Sequence, residues 1–253
     1  MDLFKGLLFN LRGLVLGLRT PRLLVLGMMR FLIVVGLALF FSGVILFWHQ
    51  EVLNFVWTMP ESGFLFFLWQ AVSWLLSVFL AGVACLFSYL VAQIFFCVFL
   101  MDTMSRITER MVTGVESGPR HVSALTMVVH LLLQEIPRAF IPLAAMVVLI
   151  ILGLLTPFGP VIALISSLVA TTFLAWDNTD LVQARRLDPF QVRFSKFKRT
   201  LLFHMGFGLW FLIPWVNIIF LSFAPVGGTL YAIENKKNQN LADNENVSGN
   251  KFR

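Results

Sequence analysis

The sequence predicts an all-α integral membrane protein, and three observations carry that expectation. Of the 253 residues, 58% are hydrophobic and only 13% charged, a balance that no soluble core of this size requires. The apolar residues fall in runs of membrane-spanning length, separated by basic segments. Two of those runs are interrupted by proline and glycine where a plain span has neither.

The elements follow in order. Residues 3–18 are apolar but carry Lys5 and Arg12, with Arg19 just beyond. The spacing of seven places these three on one stripe of a helix, the pattern of an amphipathic helix lying in the interface. Thr20-Pro21 ends it, and Pro21 suits the first turn of a second helix. Residues 31–48 form the first full span. The loop 49–63 contains Glu51 and Glu61 and no basic residue. Residues 62–101 then run without a charge and with Gly82 as the only interior glycine. Turn chemistry for a hairpin is missing there, so one long helix is expected, continuing to a glycine cap at Gly114.

Charge sets the orientation. Segments 1–30, 102–138, 177–200 and 234–253 carry all 19 Lys and Arg, and the loop 49–63 carries none. The positive-inside rule places that loop outside and both termini in the cytoplasm. The uncharged run 139–176 therefore begins and ends on one side and must turn, at Thr156-Pro157-Phe158-Gly159-Pro160. The run 201–233 repeats the design, with breaks expected at Ile213–Asn217 and again at Ala224–Gly228. Its first arm, 201–213, is too short to span, which points to half-insertion. The fold expected is thus an interfacial amphipathic N-terminal helix, two long transmembrane helices and two Pro/Gly-broken hairpins. Residues 1–234 form one polytopic domain, and 235–253 form a polar, disordered cytoplasmic tail.

The candidate sites follow from chemistry. Arg19, Thr20 and Arg22 offer forked donors beside a helix start, an arrangement suited to an oxyanion or to lipid phosphate. Gly159 and its neighbours Pro157 and Pro160, with Pro214, Asn217, Pro225 and Gly228, mark the hairpin tips, where exposed backbone N–H groups can line a polar path. Arg193, Lys196, Lys198 and Arg199 form a basic cluster at the cytoplasmic mouth. Asp177 and Asp180 share a helix face, the basis of a lipid-processing enzyme reading, but a third metal ligand is lacking. Cys85 and Cys97 form no redox or metal motif. No cofactor, metal site, catalytic motif or nucleic-acid partner is expected. Runs 31–48, 62–101, 139–176 and 200–233 hold no Asp, Glu, Lys or Arg. Passive flow is therefore expected over proton-coupled symport, with His130, Glu135 and His204 the groups to examine.

The order of segments resembles the CysZ family of sulfate permeases over nearly all of residues 1–234. The stretch "FSYLVAQIFFCVFLMDTMSRITERMVTG" is similar to the family's long second helix, with Glu109, Thr113 and Gly114 on its Glu and Thr-Gly. "LLTPFGPVIAL" resembles the first hairpin tip, and "IPWVNIIFLSFAPVGGTLY" the second, with Pro214, Asn217, Pro225 and Gly228. "AWDNTDLVQARRLDPFQVRFSKFKRTLLFHMGFG" resembles the acidic-aromatic exit, the basic helix and the Gly-Phe-Gly return. The resemblance implies a bacterial inner-membrane protein, homo-oligomeric, that admits sulfate for cysteine synthesis. Two positions depart. The family's tandem arginines after the interfacial helix are Leu24 and Val25 here, and its Ala-Pro-Phe is Cys97-Val98-Phe99. The alternative function is a non-transporting scaffold or lipid-shaping protein.

Overall fold

The computed structural model describes residues 2–48, 51, 63–92, 96–115 and 124–249. Among these there is helix and turn but no strand, as expected of an all-α membrane protein. The helices are α1 (Asp2–Arg19), α2 (Pro21–Phe47), α3 (Gly63–Ala92), α4 (Val98–Thr113), α5 (Ala124–Leu155), α6 (Gly159–Thr179), α7 (Leu181–Arg185), α8 (Phe190–Arg199), α9 (Leu201–Gly208) and α10 (Val216–Gly249). A 3₁₀ turn, Leu209–Leu212, extends α9. The acidic loop 49–63 lies almost wholly outside the described residues, as do the side chains of His130 and Glu135.

Among the described residues, four helical segments are long and apolar enough to cross a membrane: Pro21–Phe47, Phe66–Cys85, Gly159–Thr179 and Val216–Asn238. Phe140–Leu155 and Leu201–Leu212 are apolar but shorter. The chain is a multi-pass membrane protein. It divides into two compact units, residues 28–100 and the remainder. Within the smaller unit, Ser88 Oγ of α3 donates to Leu37 O of α2 at 3.2 Å, and Phe41 meets the Phe87 ring edge-on at 5.5 Å.

The larger unit is organised by α1. Its buried face is Gly6, Phe9, Asn10, Gly13 and Gly17, and it packs on α9 and α10. Small residues on both sides let backbones touch. A Cβ on Gly6 would collide with Phe203 O, one on Gly206 with Leu3 O, and one on Gly227 would lie 2.6 Å from Phe9 O. Asn10 Nδ2 donates to Phe207 O at 2.8 Å, and Trp210 Nε1 to Leu7 O at 3.1 Å. A core of Phe9, Ala175, Phe203, Phe207, Phe211, Phe220 and Ala224 fills the contact.

Two of the three predicted breaks in the apolar runs are partly realised. Thr156–Phe158 separates α5 from α6, with Pro160 in the first turn of α6. The second tip falls at Ile213–Trp215, where Trp215 takes a positive φ of 68°. Gly114 caps α4 at φ 73°, as its position implied.

The break expected at Ala224–Gly228 does not occur: α10 runs unbroken through Pro225. The glycines there serve close packing instead, Gly227 against α1 and Gly228 against Asn178 of α6. Beyond 234, α10 extends to Gly249.

Candidate functional site

A layer of buried polar groups crosses the larger unit. Its centre is built by α4, whose Asp102, Ser105 and Glu109 recur at i, i+3 and i+7 and so share one face. Against that face α7 sets Arg185, 1% exposed. Arg185 Nη1 donates to Glu109 Oε2 at 3.1 Å and Nη2 to Ser105 Oγ at 2.5 Å. Its Nε lies 3.1 Å from Asp102 Oδ1, close enough for an ion pair but off the hydrogen-bond line. Thr229 of α10 donates to Ser105 Oγ at 2.8 Å and, as the alternative, to Pro225 O at 2.7 Å.

Two more arginines edge the cluster. Arg106 Nε donates to Asp102 Oδ2 at 2.7 Å, and Arg186 Nη2 is 3.9 Å from Glu109 Oε1. Among the described residues, two carboxylates thus face three guanidiniums.

A second buried pair adjoins α7. Arg193 Nε donates to Asp180 Oδ2 at 2.6 Å, and Nη2 reaches the same oxygen. Below it, His204 Nδ1–H donates to Thr200 O at 2.8 Å, because the carbonyl can only accept. His204 Nε2 is then the acceptor from Thr179 Oγ1 at 3.0 Å. Burial pushes this imidazole down to about 4, outweighing the backbone hydrogen bond that favours its charge. It is neutral at pH 7. Trp176 stacks on Phe197 at 4.7 Å, and Phe190 stacks on Phe194 at 5.7 Å, an aromatic shelf beside the arginine pair.

The sequence-derived candidates distribute unevenly around this layer. Arg193 is buried against Asp180 and separates from the basic cluster, because a buried carboxylate at the α6–α7 junction has to be neutralised. Lys196, Lys198 and Arg199 stay exposed, Lys196 at 3.3 Å from Asp188 and Lys198 over the Phe194 ring at 5.1 Å. Asp180 is therefore an ion-pair partner, and among the described residues no cluster of metal-ligating groups forms. Arg19 and Arg22 are exposed and Thr20 half-buried at the α1–α2 junction, where Thr20 O accepts from Leu24 N at 2.9 Å. Pro157, Pro160 and Pro214 lie exposed at the two tips, and Gly159 and Asn217 are half-buried there. The first tip is surrounded by exposed Leu154, Leu155 and Phe158. Pro225 and Gly228 sit instead in the buried middle of α10.

Sequence reasoning missed Arg185, Asp102 and Ser105 as a group. The polar i, i+3, i+7 pattern on α4 was the available signal, but its partner lies 76 residues away.

A family model described as sulfate transporter CysZ/Etoposide-induced protein 2.4 matches residues 9–222. The chain belongs to this family. The match extends from α1 into α10 and so contains every member of the buried layer except Thr229. No curated protein matches the chain.

Proposed function

We propose that this member of the CysZ/Etoposide-induced protein 2.4 family is a passive oxyanion permease, with sulfate as the favoured substrate. The observation that carries the reading is the buried arginine layer. Arg185 presents fixed, fork-shaped donors inside the protein, held ready by the carboxylates of Asp102 and Glu109. A tetrahedral dianion replaces a carboxylate on such a fork with little change in geometry. Asp102, the more exposed of the two acids, is the one that can swing away with Arg106 as the anion enters.

Exposed Arg22, Lys196, Lys198 and Arg199 raise the local anion concentration at the cytoplasmic side. Neutral His204, together with runs free of carboxylates, favours passive flow over proton coupling. The reading places the chain in a bacterial inner membrane with cytoplasmic termini, as a homo-oligomer feeding cysteine synthesis.

The test is uptake of radiolabelled sulfate into liposomes holding the purified protein, with selenate, phosphate and chloride as competitors, and with and without a proton gradient. Saturable uptake blocked by selenate and indifferent to the gradient supports the proposal. Uptake equal to that of empty liposomes discards it in favour of a non-transporting scaffold.

A further inference from the structure

At 100° per residue, α1 divides into three sectors. The buried sector holds its glycines with Phe9 and Asn10. An exposed apolar sector holds Phe4, Leu8, Leu11, Val15 and Leu18. Between them runs the basic stripe of Lys5, Arg12 and Arg19. A helix buried only by protein has no use for the second sector, and a helix in water would not keep it. The stripe sits where headgroups meet when the apolar sector faces acyl chains.

The stripe is not uniform. Lys5 is 3.9 Å from Asp2. The Arg12 guanidinium is held over the Phe9 ring at 5.4 Å and lies 3.8 Å from Glu234. Arg19 makes no side-chain hydrogen bond or ion pair among the described residues. Between Arg12 and Arg19, about 10 Å apart along the axis, lies a shallow, open groove of about 280 Å³ lined by these two and by Leu11, Val15 and Leu16.

We infer that this groove seats one anionic phospholipid. Its phosphate bonds to Arg19 with support from Arg12, and one acyl chain lies along Leu11, Val15 and Leu16. A free oxyanion meets only two donors here and apolar walls elsewhere, whereas a phospholipid satisfies both halves of the groove at once. The site shares no residue with the buried Arg185 layer and does not depend on whether the protein moves sulfate.

The full chain, purified in detergent, is titrated with phosphatidylglycerol and with phosphatidylcholine of identical acyl chains, and retained lipid is counted by native mass spectrometry. Each arginine near an anionic headgroup contributes about fivefold in affinity. Phosphatidylglycerol is therefore expected to bind roughly 25-fold tighter than phosphatidylcholine. Arg19→Gln and Arg12→Gln should each lose about fivefold of that preference, while the exposed-site control Lys237→Gln keeps it. All three positions are exposed, so unchanged melting temperatures separate lost binding from lost fold. Equal retention of the two lipids overturns the inference, as does an Arg19→Gln variant that binds like wild type. Displacement of phosphatidylglycerol by millimolar sulfate overturns it too and makes the groove a free-oxyanion site.

Discussion

Replacing Glu109 by Gln tests the buried layer most directly. Glu109 is 3% exposed and Arg185 1%, so the mutation leaves a guanidinium out of water with one carboxylate partner fewer. Breaking a buried ion pair from one side costs about 3–5 kcal/mol. Asp102 remains at 3.1 Å but is more exposed, so it offsets only part of this, and about 3 kcal/mol is the expected loss. For a chain of this size that corresponds to a fall in melting temperature of roughly 6–12 °C. The assay is thermal unfolding of the detergent-purified protein, run beside Arg185→Gln and the double variant. Removing both charges removes the stranded cation, so the double variant should unfold above Glu109→Gln by several degrees. An unchanged melting temperature for Glu109→Gln would refute the argument. So would a double variant whose loss is the sum of the two single losses.

Two further outcomes follow from the geometry. Gly206→Ala drives a methyl group into the backbone carbonyl of Leu3, with no flexible side chain to move aside. It should cost about 1–3 kcal/mol and expose α1 to limited proteolysis well before the rest of the unit. His204 titrates near 4 when folded and near 6.5 when unfolded, so folding suppresses its protonation. Its contribution is complete above pH 6.5 and is lost as pH falls towards 4, by about 3 kcal/mol in total. His204→Gln should flatten that slope of stability against pH, measured by denaturant unfolding at intervals across the window.

Local chemistry was the legible part of this chain. Pro157 and Pro160 flank a turn because a proline ring cannot sit inside the hydrogen-bond ladder without loss, and α5 does end there. Gly114 reads as a cap because few other residues reach its φ of 73°. The same residue types misled at Ala224–Gly228. Glycine both breaks helices and lets them approach, and only the neighbours of Gly227 and Gly228 show which role applies. Those neighbours belong to α1 and α6, far off in sequence. Arg185 was opaque for the same reason. In sequence it is one cation in a basic segment, and nothing local distinguishes it from exposed Lys198, yet one is buried with three partners and the other lies over a phenylalanine ring. Arg193 shows the cost of reading charge by segment alone, since Asp180 claims it from 13 residues away.

The glycine clasp on α1 also sets an order of events during synthesis. The carbonyl of Leu7 waits for the indole of Trp210, 203 residues later, and Asn10 for the carbonyl of Phe207. At ribosomal speeds of about 5–20 residues per second, that interval is roughly 10–40 seconds. That helix is therefore locked by these bonds long after it has left the ribosome. Until α9 and α10 arrive, its bare glycine face has no protein partner from them. A chain cut short before residue 206 would leave α1 without the carbonyl of Phe207 and the indole of Trp210, synthesised yet structurally unfinished.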